Sequence, residues 1–224
     1  MHLKLLVIDE KETLIGSANM TGESLRMHGN LVTVIASPSV ARAVLDKAAG
    51  MIYSEMNEGF PHQEFVVGGQ RMELWFLPDD PHAGKRLIDL MRSTKKNLRI
   101  AMFTWTRQDF AKEVIHAHRR GVDAIAIIDQ NSGSGAGKDV VDALETGGVP
   151  VFLSDGNALL HYKLMCVDDQ TLVNGSANWT RAAFTKNDDC FIVLHDLNEQ
   201  QKSVINSLWN NIYRQSQEIY EQIR

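Results

Sequence analysis

Two sets of the same polar residues recur in this chain at one spacing. His161, Lys163, Asp168, Gly175, Ser176 and Asn178 form the second set, and His2, Lys4, Asp9, Gly16, Ser17 and Asn19 the first. Both fit H-x-K-x4-D-x6-G-S-x-N without gaps. From His2/His161 to Thr21/Thr180, nine of twenty positions are identical. In a strand, His and Lys two positions apart share one face. An imidazole, an ammonium, a hydroxyl and an amide converging on a point make a phosphate-handling set. Two such sets supply a nucleophile, a proton donor and cations for developing charge, which is what cleaving a phosphodiester without a metal requires. A histidine pair titrating near 6.5 can share one proton near neutral pH.

The duplicated motif resembles the signature of the phospholipase D superfamily. Its compact G-S-x-N ending is similar to that of small bacterial nucleases, mitochondrial cardiolipin hydrolases and phospholipase-D-like proteins of intracellular bacteria. The resemblance covers nearly the whole chain. It implies a two-step reaction through a phosphohistidine, with His2, Lys4, His161 and Lys163 catalytic and no cofactor or metal. It also implies that Ser17, Asn19, Ser176 and Asn178 help to hold the phosphate. In related enzymes the N-terminal histidine is the usual nucleophile, which points to His2. A downstream acid orients the histidine in such enzymes, and only the second copy has one, Asp189; the first has His28-Gly29-Asn30 there. That reading makes His161 the stronger base, so the choice of nucleophile stays open. Asp9 and Asp168 are expected to fix the turns between motif strands. Gly16 and Gly175 are expected where backbones approach closely or φ is positive.

The elements that position these residues alternate. Leu3–Ile8 and Thr13–Ile15 read as a hairpin, and Leu31–Ala36 as a strand. A helix starts at Ser37-Pro38-Ser39, with Val40, Val44, Leu45, Ala48, Ile52 and Met56 as its apolar stripe. Asn57–Gly69 reads as a polar linker, which divides the chain into 1–70 and 71–224. Strands are expected over Met72–Leu77, Leu98–Phe103, Val122–Ile128, Val149–Leu153 and Cys190–Leu194. Helices are expected over Gly84–Lys96, Gln108–Arg120, Val140–Glu145 and Leu197–Ile223, with Asn131–Gly137 a flexible loop. Val204, Leu208, Ile212 and Ile219 form the stripe of the last helix. This pattern predicts an α/β fold, a mixed and mostly parallel sheet flanked by helices. The fold has two pseudo-symmetric halves, the first N-terminally incomplete. Because His2 lacks the scaffold that leads to His161, the chain reads as a fragment or truncated reading frame wanting about 90 or more residues, the alternative being a fold incomplete by design.

Composition narrows the partners. Hydrophobic residues make up 44%, enough for a core. The net charge of −5 and a pI near 5.9 tilt against nucleic acid. A phospholipid at a membrane surface is the favoured substrate, nucleic acid the alternative, and a truncated non-catalytic binding protein the third reading. The chain is expected as a monomer with an internal pseudo-dimer, or as a homodimer if truncated. Cys166 and Cys190 read as reduced core thiols. No apolar run approaches about 18 residues and no signal peptide is visible, so a cytoplasmic or peripheral-membrane location is expected. Ser134-Gly135-Ala136-Gly137-Lys138 fails as a phosphate loop, since Ser132 and Asp139 stand where glycine and a hydroxyl belong. Trp105 sits where a substrate-lining loop or a packing contact would begin, and Trp179 reads as core support. The six histidines outside the motifs, His28 among them, are expected at surface or packing positions. Lys95-Lys96 and Arg119-Arg120 are expected to end helices.

Overall fold

The computed structural model describes residues 1–53, 59–154 and 158–223. The first copy folds as β1 (Leu5–Ile8), β2 (Glu12–Gly16), α1 (Gly22–Met27), β3 (Val32–Ala36) and α2 (Pro38–Tyr53). The remainder runs β4 (Gln63–Val67), β5 (Gln70–Leu77), α3 (Ala83–Ser93), β6 (Asn97–Met102), α4 (Gln108–Arg119) and β7 (Asp123–Asp129). It continues through α5 (Gln130–Ser134), α6 (Lys138–Thr146), β8 (Val151–Ser154), β9 (Lys163–Val167), β10 (Thr171–Gly175), α7 (Arg181–Thr185), β11 (Asp189–Leu194) and α8 (Glu199–Ile223).

Two sheets result: a small one ordered β1-β2-β3, and a large one ordered β4-β5-β11-β10-β9-β6-β7-β8. The large sheet is mixed, but its parallel pairing is confined to β6-β7-β8. The remaining pairs are antiparallel, which corrects the expectation of a mostly parallel sheet. Helical crossovers enforce parallel order only where βα units follow one another; β9 and β10 are joined by a tight turn and must run antiparallel. Helices cover both faces. On one, Leu87, Phe110, Val114 and Leu144 from α3, α4 and α6 pack on Leu98, Ile100 and Ile128. On the other, Ile205, Trp209 and Ile212 of α8 and Val40 and Val44 of α2 pack with Phe76, Leu164 and Ile192.

Several local expectations change. Gln63–Val67, read as linker, pairs with β5 as a hairpin whose turn Gly68 and Gly69 make with positive φ. Its Val66 is largely exposed, and that polar, edge-strand pattern hid it. The stretch Asn131–Gly137 is partly helical, because Asp129 caps α5 by accepting from the Ser132 N–H at 3.1 Å. Helix α3 stops before Lys95 and Lys96, where Thr94 turns extended and its hydroxyl donates to the Leu90 carbonyl. On α2, Ala48 is exposed and Lys47 is buried instead, paired with Asp79 at 2.7 Å. On α8, Val204 is exposed and Ile205 and Trp209 take the inward face. Met56 lies outside the described residues, and Ile52 and Ile219 outside the described side chains.

Candidate active site

The two motif copies meet in a pseudo-twofold arrangement, and the hydrogen bonds repeat almost atom for atom. The backbone N–H of His2 donates to Asp188 O at 2.8 Å, and that of His161 to Gly29 O at 2.9 Å. Each lysine turns its ammonium back onto the carbonyl of its own histidine, Lys4 to His2 O and Lys163 to His161 O, both at 2.8 Å. The copies thus exchange their downstream segments. The segment after β2 and α1 reaches His161, and the segment before β11 reaches His2.

That exchange changes the partners expected from the sequence. Asp189 belongs to the second copy but holds His2, its Oδ1 2.7 Å from His2 Nδ1. His161 Nδ1 is met by Asn30 Oδ1 at 3.0 Å. A carboxylate therefore backs one imidazole and a neutral amide the other. Sequence reasoning paired Asp189 with His161 because it followed chain order, and only the docking of the two copies reverses this. Asn30 and His28 are site residues that the motif did not mark. The signal was available: they align with Asp189 and Asn187 and differ from them.

The serines point inward. The Ser176 hydroxyl donates to Asp189 Oδ1 at 2.7 Å and accepts from the Cys190 N–H at 3.0 Å. The Ser17 hydroxyl donates to Asn30 Oδ1 at 2.9 Å and accepts from Leu31 N–H at 3.1 Å. Both serines are fully buried. They hold the residue that holds the opposite histidine, which differs from the expected hold on phosphate. Asn19 and Asn178 stay half-buried, and Asn178 Oδ1 meets no hydrogen-bonding partner among the described residues. Gly16 and Gly175 serve close approach: a Cβ on Gly16 would fall 2.2 Å from Leu31 O, and one on Gly175 2.3 Å from Cys190 O. Asp9 and Asp168 sit at the turns with φ of 50° and 53°. The Asp168 carboxylate also accepts from the N–H groups of Lys95, Lys96 and Asn97, tying the motif turn to β6.

The electrostatics are those of a site built for an anion. Lys4 and Lys163 are both buried. Burial lowers the Lys4 pKa against the pull of Asp189. Burial and the neighbouring Lys4 push Lys163 well below the usual lysine range, opposed by Asp189 and Asp129. Burial, then Lys163, Lys4, His28 and His2, push His161 down from 6.5 to about 3. Phe103 shapes this side, its ring centroid 4.9 Å from that of His161 and 4.9 Å from Lys163 Nζ. Trp105 is fully buried, edge-on to Trp179 at 4.7 Å, so it packs the core beneath the motif loop. Among the described residues no group of three or more His, Cys, Asp or Glu side chains could hold a metal ion. Likewise no helix is long and apolar enough to cross a membrane.

Residues 1–52 and 87–210 match the family model described as "Cardiolipin synthase, PLD-like domain". The chain is 34% identical over 178 residues to a mitochondrial cardiolipin hydrolase of Chlamydomonas reinhardtii, spanning 69% of this chain and 79% of that protein. Among solved structures, the phospholipase D family member Nuc from Salmonella typhimurium aligns with a TM-score of 0.60 at 26% identity, over 64% of this chain and 94% of Nuc. Phosphatidylserine synthase of Haemophilus influenzae Rd KW20 aligns with a TM-score of 0.73 over 96% of this chain and 62% of that one; at 13% identity the likeness is one of fold.

Proposed function

The chain belongs to the PLD-like domain family of the phospholipase D superfamily, and from that membership and the crossed histidine contacts we propose that it cleaves phospholipid head-group esters through a phosphohistidine at His2. It is a phosphodiesterase of the phospholipase D type. The observation that carries the finer reading is the Asp189 carboxylate on His2 Nδ1. A carboxylate accepts only, so Nδ1 bears the hydrogen and the Nε2 lone pair is free to attack. As the N–P bond forms, the ring gains positive charge, and Asp189 offsets it. His161, backed by the neutral Asn30, has no such support for a covalent bond.

In the first step His2 Nε2 attacks phosphorus while the bond to the leaving alcohol breaks. His161, protonated, passes its Nε2 proton to that oxygen. In the free site His161 is neutral, and the arriving phosphate anion, held by Lys4 and Lys163, favours its protonation. In the second step His161 takes a proton from water as the hydroxide oxygen joins phosphorus. The N–P bond then breaks and its electron pair returns to His2. Two ammonium groups and Asn19 and Asn178 face the phosphoryl oxygens in this reading, so the chemistry needs no metal. We assign residues 1–70 to the first half of the fold and 71–224 to the second.

The lipid substrate rests on the cardiolipin hydrolase relative and on the acidic net charge of −5. The test is release of phosphatidic acid from cardiolipin or phosphatidylcholine vesicles, with and without chelator. Enzyme denatured in alkali, where the acid-labile N–P bond survives, should carry label from phosphate-labelled substrate, retained in His161→Asn and absent in His2→Asn. Label lost only in His161→Asn would sink the choice of His2. Plasmid nicking with inert vesicles would favour a nucleic-acid phosphodiesterase.

A further inference from the structure

The two copies differ where they reach across to the opposite histidine. The second copy brings Asn187 and Asp189; the first brings His28 and Asn30. A carboxylate is thus missing at His161, and an imidazole has appeared two residues before the amide. His28 is firmly placed. It follows the end of α1 in extended conformation, with φ −97° and ψ 145°. Gly29 then bridges the other copy, its N–H donating to Leu159 O at 2.8 Å and its carbonyl accepting from His161 N–H. Asn30 Nδ2 reaches back to the His28 carbonyl at 3.3 Å. The His28 ring centroid therefore lies 6.1 Å from that of His161, tilted by 55°.

The ring has an inner and an outer end. His28 Nδ1 is buried and meets no hydrogen-bonding partner among the described residues. His28 Nε2 lies 3.6 Å from Glu23 Oε1, and the Glu23 side chain is 75% exposed. The titratable groups around His28 are Glu23 from α1 on the outside and His161 on the inside. Burial, then Lys163, Lys4, His28 and His2, hold His161 neutral in the free site. An acid kept neutral before substrate arrives needs a nearby proton source that reaches solvent.

We propose that His28 is the proton relay of His161, passing protons between solvent at Glu23 and His161 Nε2 through one intervening water. The inference rests on the phosphodiesterase reading above. Neutral His28, with its hydrogen on Nδ1, gives that proton to the water as its Nε2 lone pair takes one from the Glu23 side, and the water gives one to His161 Nε2; His28 is left neutral with its hydrogen on Nε2. The proton then leaves on the departing alcohol. After hydrolysis the proton that His161 took from water leaves by the reverse path, reaching His28 Nδ1 through the water as Nε2 releases its hydrogen to the Glu23 side, which restores the starting tautomer. His28 acts through His161 and touches no reacting atom.

The test compares wild type with His28→Gln, which keeps a polar side chain but cannot titrate, and with His28→Ala, which leaves room for free imidazole. Two substrates are used: phosphatidylcholine vesicles, whose alkoxide must be protonated to leave, and bis(p-nitrophenyl) phosphate, whose nitrophenolate need not be. General acid catalysis contributes about 10²–10⁴-fold, so starving it of protons should cost about ten-fold on the alkyl ester. The loss should be several-fold smaller on the nitrophenyl ester, and added imidazole should restore the His28→Ala rate. Equal losses on both substrates without imidazole rescue would mean a structural role and overturn the relay. Unchanged alkyl-ester rates at every pH and buffer concentration would overturn it as well. A wild type inactive on both substrates would overturn the phosphodiesterase reading and the relay with it.

Discussion

At the scale of residues, the two histidines are backed unequally, His2 by the Asp189 carboxylate and His161 by the Asn30 amide. His2, Lys4, His161 and Lys163 announce themselves because strand periodicity puts each pair on one face. The partner of each histidine depends on which loop crosses to it, and that is decided by docking between copies. Asp189 could be recognised as an orienting acid but not assigned to His2. The burial of His161 beside Lys163 and Lys4 has a measurable consequence. His161 is held near 3 in the fold against an ordinary 6.5. A histidine whose folded pKa is depressed binds fewer protons folded than unfolded between those values. Its contribution therefore favours the fold above about 6.5 and turns against it as pH falls toward about 3. The His161→Asn variant lacks this term, so its melting temperature should fall less than that of wild type between pH 7 and pH 4. Parallel melting curves over that range would show that His161 is not buried as a neutral base.

At the scale of elements, the contact that delivers the site is the passage of residues 28–30 beside residues 159–161. Gly29 permits it. A Cβ there would lie 2.7 Å from Tyr162 Cε2 and 3.2 Å from Cζ, and Tyr162 sits between His161 and Lys163. Overpacking of this kind typically costs about 1–3 kcal/mol. Gly29→Ala should push the Tyr162 ring, separate Asn30 from His161, and lower kcat by ten-fold or more, estimated from the same general-acid contribution. A control is Gly50→Ala on α2, where a Cβ meets nothing within 4 Å. It should stabilise by about 0.4–1 kcal/mol with activity intact. Circular-dichroism melts beside vesicle hydrolysis check both. Full activity in Gly29→Ala would show that the crossing tolerates a side chain. The sequence marked Gly16 and Gly175 because the motif repeats them, whereas Gly29 has Asp188 as its counterpart and no repeat to reveal it. The hairpin β4–β5 escaped for a related reason, since an edge strand with exposed Val66 carries no inward stripe.

At the scale of the molecule, the active site depends on how the small sheet sits on the large one. Asn174, the next-to-last residue of β10 and fully buried, joins them. Its Nδ2 donates to Thr33 Oγ1 at 3.0 Å and to Leu31 O at 3.3 Å. The equivalent residue of the small sheet, Ile15, is also fully buried, so this position is the junction of the pseudo-twofold in both copies. Sequence comparison of the copies shows Asn174 opposite Ile15 without a reason. The reason is that the Thr33 hydroxyl and the Leu31 carbonyl of the other copy accept from it there. Leu31 follows Asn30, and its N–H is already held by Ser17. Loosening Leu31 therefore loosens the amide that holds His161. Asn174→Ala removes this donor from a half-buried hydroxyl and from a half-buried carbonyl that keeps the Ser17 N–H, costing about 0.5–1.5 kcal/mol. The loss should fall on the docking of β1-β2-β3, because the β10 backbone ladder to β9 and β11 does not use the side chain. Hydrogen exchange should quicken in β2 and β3 while β5, β9 and β11 keep their protection, and turnover should fall more than the melting temperature suggests. Uniformly faster exchange through both sheets would mean that the two fold as one cooperative unit, with Asn174 stabilising the whole rather than its junction.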